Sequence, residues 1–388
     1  MIKNAIAIVC ASLLTVPAMA QTVNLQSTAQ TLSKKSGYAP ATTEKDWWSQ
    51  LNSLPNVPLR PMGIDPKDWI VPINEGPPTG APDTVGAFRL TLNPTDFGYN
   101  DAVLYPGVKN GSPHGHSNYG VYGIDENTTS EGLLANWKGG YNALLGSAYW
   151  SPWLLRLKDG KIIRPDTINV YYKRYPIDSP YCTREALKGC IPMLPGIKMI
   201  AGYDMKRMGQ AQPENTQYVF DHRCTTPGKP GTHYPLLDQA IQACGGYGTI
   251  ATSITFPNCS NGQKDSPDHR SHLAYQSFGW WGYSKCPDTH PYLMPTLNQQ
   301  INFTIEKDDG PVLYSSDVMP NMPAMPAGST FHADWIYGIH PALAEGMDRC
   351  WNLLLSCSNG VLGNKTMLKM PSDFTFKANP RLIDPPKR

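Results

Sequence analysis

Nine histidines are spread through the chain, and three short segments set them beside one another or beside carboxylates. In His114-Gly115-His116 the two imidazoles fall on one side of an extended backbone, because side chains of a strand repeat every two residues. Such a pair can chelate a divalent cation through ring nitrogens at about 2.0–2.1 Å. Asp268-His269-Arg270-Ser271-His272 gathers a carboxylate, two imidazoles and a guanidinium, and His332-Ala333-Asp334 again sets an imidazole and a carboxylate on one face. If the three segments meet, His114, His116, His332 and Asp334 are candidates to hold one divalent metal ion. Asp268, His269 and His272 are then candidates for acid–base catalysis, with a carboxylate fixing an imidazole tautomer, and Arg270 for clamping an anion.

Other catalytic entry points are missing. The chain has no G-x-S-x-G, H-E-x-x-H, G-x-x-x-x-G-K-[ST] or helix-opening G-x-G-x-x-G, so serine-hydrolase, zincin and nucleotide-binding readings lose their usual signature. A carboxylate pair for glycoside hydrolysis is not local in sequence; Asp125, Glu126, Asp268, Asp317 and Asp334 are the candidates. Aromatic residues cluster at Tyr149-Trp150-Ser151-Pro152-Trp153, at 278–283 and at Trp335. Tyr149, Trp150, Trp335 and Tyr275 are expected to offer ring faces to a sugar, the competing use of such rings being to fill a β core.

These segments need a scaffold, and composition says which kind. With 34 Gly, 37 Pro and only 16% charged residues, the chain favours many turns over long helices. Alternation starts at residues 85–92, and further strands are expected at 102–105, 147–155, 167–172, 198–201, 217–220, 250–256, 272–275, 299–305 and 312–314, with turn signals between them. Helical spacing is confined to 43–51, 130–137, 236–244 and 342–355, the last with Leu343, Met347, Trp351 and Leu354 on one stripe. The expected fold is mainly β: a single disulfide-braced, β-sandwich-like domain with long loops and a few short helices.

Residues 1–20 read as a cleavable secretory signal, with Lys3 ahead of a short apolar run and Ala18-Met19-Ala20 as a peptidase site. Cys10 leaves with it, and the eight remaining cysteines are an even number suited to disulfides outside a reducing compartment. Spacing suggests bridges 182–190 and 350–357, with 224–244 and 259–286 compatible, although sequence does not determine connectivity. Expected boundaries are an N-terminal extension at 21–84, a core domain at 85–350 and a C-terminal tail at 351–388. A net charge of +2 supplies no field to draw the protein onto nucleic acid, and no membrane anchor is expected after the signal.

The segments Tyr105-Pro106-Gly107 with His114-Gly115-His116, Ser147 to Leu154, Pro195 to Gly202, Phe256 to Gly262, Ser266 to Tyr275, Cys286 to Pro291 and Phe331 to Gly338 resemble, in order, the secreted domain of unknown function catalogued as DUF1996. The likeness runs over roughly residues 85–350 and is most specific at 256–291. It implies secretion and one domain carrying these His segments, and no assigned chemistry. Two departures stand out: the family's His-Leu-His is His114-Gly115-His116, and its Cys-Trp-Asp-Gly is Cys259-Ser260-Asn261-Gly262, which loses a carboxylate.

The expectation is an exported protein, extracellular or periplasmic, acting on an extracellular polysaccharide through a His/Asp-lined cleft. The chemistry would be metal-assisted hydrolysis or a lyase step in which a neutral His abstracts a proton while Arg270 neutralises a sugar carboxylate. The alternative is a non-catalytic glycan-binding or adhesion module with a structural His cluster.

Overall fold

A computed structural model describes residues 63–74, 85–212, 219–278, 284–320, 322–371 and 380–388, all within the unit Ala39–Arg388. The signal segment 1–20, the helix expected at 43–51 and the aromatic run at 279–283 lie outside the described residues.

Twelve strands carry the argument: β1 (Gly86–Leu92), β2 (Pro94–Gly98), β3 (His116–Tyr119), β4 (Ala148–Pro152), β5 (Thr167–Arg174), β6 (Lys198–Gly202), β7 (Phe220–Cys224), β8 (His233–Tyr234), β9 (Gly248–Thr255), β10 (Thr296–Ile305), β11 (His332–Ile336) and β12 (Ser356–Cys357). One sheet has the order β8-β7-β9-β10-β5-β1-β12, antiparallel except for the β1–β12 edge. The other is antiparallel with order β2-β3-β4-β11-β6. Their facing sides form one apolar core. The Tyr149 and Tyr172 hydroxyls meet across it at 2.5 Å, and the Phe220 and Phe331 rings lie 5.9 Å apart.

Burial separates the two sheets. Along β5 and β10 buried and half-buried residues alternate strictly, as expected for strands with one wet face. Along β3, β4 and β11 every residue is buried, so this sheet is covered on both faces. Its second face packs a smaller cluster in which Trp150, Ile200 and Ile336 meet Ala102, Val103 and Ile124. The chain between β2 and β3, and the stretch after β3, therefore lie over the sheet. The histidines are on that face.

Among the described residues the α-helices are α1 (Ser130–Ala135), α2 (Leu237–Ala243) and α3 (Pro341–Asn352). In α3 His340 caps the N-terminus and Pro341 occupies the first turn, where its missing N–H costs nothing. Trp351 Nε1 donates to the Tyr172 carbonyl at 3.0 Å, fixing the helix against the seven-stranded sheet. Four disulfides join Cys182–Cys190, Cys224–Cys244, Cys259–Cys286 and Cys350–Cys357.

Several expectations change. Residues 102–105 are a turn, not a strand, because the Asp101 carboxylate accepts from the amides of Val103 and Leu104 at 2.9 and 2.8 Å; such a side-chain cap competes with strand pairing. The stretch expected as a tail at 351–388 is woven in: β12 edges the larger sheet, Thr366–Leu368 pairs with Ile70–Pro72, and Leu382–Ile383 pairs with Ile162–Ile163. Tyr149, Trp150 and Trp335 are 0% exposed, so the rings expected to face a sugar are core. Tyr275 is half-buried, and its hydroxyl donates to the Thr255 carbonyl at 2.9 Å.

Truncating Trp335 should therefore damage the fold first. Trp335→Ala is expected to lower unfolding free energy by about 3–5 kcal/mol, read by chemical denaturation. Retained stability would mean that the ring is not packed as described.

Candidate metal centre

β4 lies between β3 and β11, and its Pro152 is opposite His116. Because Asp334 pairs with Trp150 and His332 with Gly202, His116 and His332 stand at the same level on the two strands flanking β4. His114 precedes β3 by two residues and rejoins the same side. The ligand nitrogens of His114, His116 and His332 all lie within 4.8 Å of one another. All three residues are enclosed, at 4%, 0% and 2% exposure.

Their tautomers follow from their neighbours. A carbonyl only accepts, so His116 Nδ1–H donates to the Asn100 carbonyl at 2.8 Å and His332 Nδ1–H to the Thr330 carbonyl at 2.9 Å. Both Nε2 atoms then carry lone pairs. His116 Nε2 has no hydrogen-bond partner among the described residues, and His332 Nε2 is 3.1 Å from His114 Nε2. This is the arrangement seen around metal-binding imidazoles, one nitrogen oriented by a backbone carbonyl and the other left for the ion. Two nitrogens bound at tetrahedral angles to one ion would sit about 3.3 Å apart, close to the observed spacing.

Each carbonyl is itself held. Asn100 and Asn118 exchange side-chain amide bonds at 3.4 and 3.3 Å. Thr330 gives both its amide and its hydroxyl to Asp317 Oδ1, at 3.2 and 2.6 Å, while Asp317 Oδ2 receives the amides of Tyr314 and Gly328. Asp317, a carboxylate candidate in the sequence, is thus a positioning residue for the loop that orients His332. Gly115 has no side chain because the Trp153 ring occupies that space: a Cβ would lie 2.1 Å from it. That packing accounts for glycine at the middle position of the His-x-His segment.

Electrostatics keep the imidazoles neutral. Burial, then the neighbouring His116, His332 and Arg388, push His114 well below the ordinary imidazole value, burial lowers His116, and burial with His116 takes His332 down to about 3. Asp334, two residues along β11, is fully buried with neither oxygen hydrogen-bonded among the described residues. Burial and then the Asp101 carboxylate raise it well above the usual carboxylate range, with Arg270 opposing. It lies outside the three-nitrogen group, so the structure does not gather it with the three imidazoles as expected from the sequence.

The segment 268–272 arrives differently from expectation. Asp268 accepts from Ser266 Oγ and from the amides and hydroxyl of Arg270 and Ser271 at 2.7–3.1 Å, a self-capped turn that holds its carboxyl below the usual range despite some burial. His269 Nδ1 pairs with Asp265 at 2.8 Å. His272 bridges Ser266 Oγ at 3.0 Å and the Lys198 carbonyl at 2.8 Å, so both ring nitrogens are engaged. Arg270 binds the carbonyls of Gly202 and Tyr203 at 3.3 and 3.1 Å and touches the centre only through its charge on His332 and Asp334. The turn braces the edge of β6. The structure does not bring its imidazoles to the triad.

The remaining histidines have structural partners. His222 bonds Thr252 and the Gly328 carbonyl, His340 caps α3, His290 meets Thr289 and the Ser271 carbonyl, and His233 pairs with Asp221. A second group, Glu306, Asp308 and Asp309, also has the reach to hold a cation, but Asp309 already receives Arg156 and Arg381 at 3.2 and 2.8 Å. Sequence reasoning missed Asp101 and Arg388. Arg388 donates to the Pro113 carbonyl at 2.6 Å and lies 4.3 Å over the Tyr99 ring, closing the His114 loop, and neither residue sits in a motif.

The pH dependence follows. The buried imidazoles titrate lower in the fold than near 6.5 in the unfolded chain, so their contribution is fully present above pH about 6.5 and is lost as pH falls towards about 3 for His332 and about 4 for His222. Each should cost about 1.4 kcal/mol per pH unit in that window, seen as falling metal-free stability in denaturant titrations. Asp334 has the opposite sign: its raised folded value makes it most favourable at low pH and costly at neutral pH. Asp334→Asn should therefore raise the melting temperature of metal-free protein at pH 7.5. A drop would contradict an unpaired buried carboxylate.

A family model described as "Domain of unknown function (DUF1996)" matches residues 101–338. No curated protein and no solved structure matches the chain.

Proposed function

The chain belongs to the DUF1996 family, and we propose that it is an exported metalloprotein acting on an extracellular polysaccharide by metal-assisted hydrolysis. One observation carries the reading: three buried imidazoles converge, two of them with Nδ1–H oriented onto carbonyls, which turns His116 Nε2, without a partner among the described residues, and His332 Nε2, 3.1 Å from His114 Nε2, toward one another. Ligands of this kind suit zinc or another borderline transition metal. Three protein ligands leave a position for water, whose pKa such an ion lowers towards 7. Asp334, two residues from His332 on the same face of β11, would be the group to exchange a proton with that water. A cation there would also relieve the cost of its burial. Four disulfides support an oxidising compartment, and no helix among the described residues is long and apolar enough to cross a membrane. The lyase version loses support, since His269 and His272 are engaged elsewhere.

The enclosure of the triad favours a second reading, in which the ion braces the loop ahead of β3 against the sheet and the protein binds glycan without cleaving it. Purified secreted protein is expected to hold about one equivalent of a transition metal, and His332→Ala to lose it; a protein that neither carries nor takes up metal sinks both readings. Incubation with a panel of cell-wall polysaccharides should release new reducing ends in a metal-dependent manner. Bound metal with no product from any of them would leave the bracing role.

A further inference from the structure

His114, His116 and His332 are enclosed, at 4%, 0% and 2% exposure, so chemistry on a polymer at this centre needs a way in. Of the three imidazoles His114 is held least. His116 and His332 each give Nδ1–H to a backbone carbonyl, whereas His114 Nδ1 is buried with no hydrogen-bond partner among the described residues. Its ring nitrogens make one hydrogen bond there, the 3.1 Å contact with His332 Nε2.

The backbone around His114 shows the same contrast. On one side the Ser112 amide donates to the Tyr99 carbonyl at 3.0 Å. On the other the Gly115 carbonyl receives the Trp153 amide at 3.0 Å and Ser315 Oγ at 2.7 Å, and the Trp153 ring fills the space beside its Cα. Between these anchors Pro113 has no N–H to offer. Among the described residues the carbonyls of Ser112 and Pro113 accept from Arg388 Nη2 alone, at 3.3 and 2.6 Å.

Arg388 reaches this point on an arm of its own. Leu382–Ile383 pairs with Ile162–Ile163, and Asp384 pairs with Lys161 at 2.9 Å. Pro385, Pro386 and Lys387 then make no hydrogen bond among the described residues, and the two prolines fix φ and favour an extended course. The Arg388 guanidinium lies 4.3 Å over the Tyr99 ring, which meets Trp153 edge-on with centroids 4.9 Å apart. Arg388 is exposed, and a solvated cation on a ring and two neutral carbonyls is held weakly enough to let go.

We propose that residues 112–114 form a gate over the three imidazoles and that Arg388 is its latch. When the guanidinium leaves the two carbonyls, the segment turns about the fixed Gly115, His114 parts from His332, and the space between the imidazoles opens to solvent. What the gate serves rests on the metal-centre reading, whereas its opening does not, since every contact named here is made by the chain itself.

Diethyl pyrocarbonate, which acylates a neutral imidazole that solvent reaches, tests this on the full secreted protein freed of metal, with peptide mass spectrometry locating the label. Labelling follows the population of the opened form, so His114 is expected to react about tenfold faster in Arg388→Ala than in the unaltered protein. Lys387→Ala, which removes the neighbouring charge, should leave His114 at the unaltered rate. His222, 0% exposed, should keep one rate in all three proteins and so verifies folding. Equal His114 rates in Arg388→Ala and the unaltered protein, or a matching rise at His222, would overturn the gate. A protein that takes up no zinc would sink the metal centre, while the labelling rates still decide the gate.

Discussion

Two hydrogen bonds from imidazole to backbone, His116 to Asn100 and His332 to Thr330, determine what this molecule can do. They place the ring protons away from each other and leave the opposite nitrogens facing one point. Those two carbonyls are maintained by their surroundings: the paired amides of Asn100 and Asn118, the Asp101-capped turn, and the Asp317 carboxylate that holds Thr330. Without these supports the rings would rotate to satisfy themselves, as His222 and His272 do.

The site is also where the fold departs most from economical packing. A second face of a sheet buried under loops would ordinarily be filled with aliphatic side chains, as it is around Trp150 and Ile200. Yet Asp334 stands between Trp150 and Ile200 in that same row, its carboxyl without a hydrogen-bond partner among the described residues, and one register step away the face holds three imidazoles. Neutral imidazoles lose little by burial, whereas a carboxylate in that position loses several kcal/mol unless it is protonated or faces a cation. A divalent ion answers both features at once, which a purely apolar explanation of the cluster does not.

Much of this was legible in the sequence because it depended on local period. The two-residue repeat put His114 with His116 and His332 with Asp334, and the alternation of 167–172 and 299–305 marked strands that the larger sheet uses. What sequence could not show was which segments cross. The motif at 268–272 looks as rich as the other two, yet its polar groups close on themselves and on the β6 carbonyls, so density of chemistry was a poor guide to shared location. The rings at Tyr149, Trp150 and Trp335 were ambiguous for a physical reason, since the same amphipathic aromatics serve cores and sugar platforms. Asp101 was hidden because residues 102–105 read as a strand, whereas they turn on its carboxylate.

The central claim is a three-imidazole metal centre, and X-ray absorption of zinc-loaded secreted protein tests it most directly. The structure predicts three nitrogen ligands at about 2.0–2.1 Å with imidazole outer-shell scattering and one further light ligand, reduced to a different signal in His116→Ala. A shell of oxygen ligands alone, or a spectrum indifferent to that substitution, would place the ion elsewhere and contradict the account.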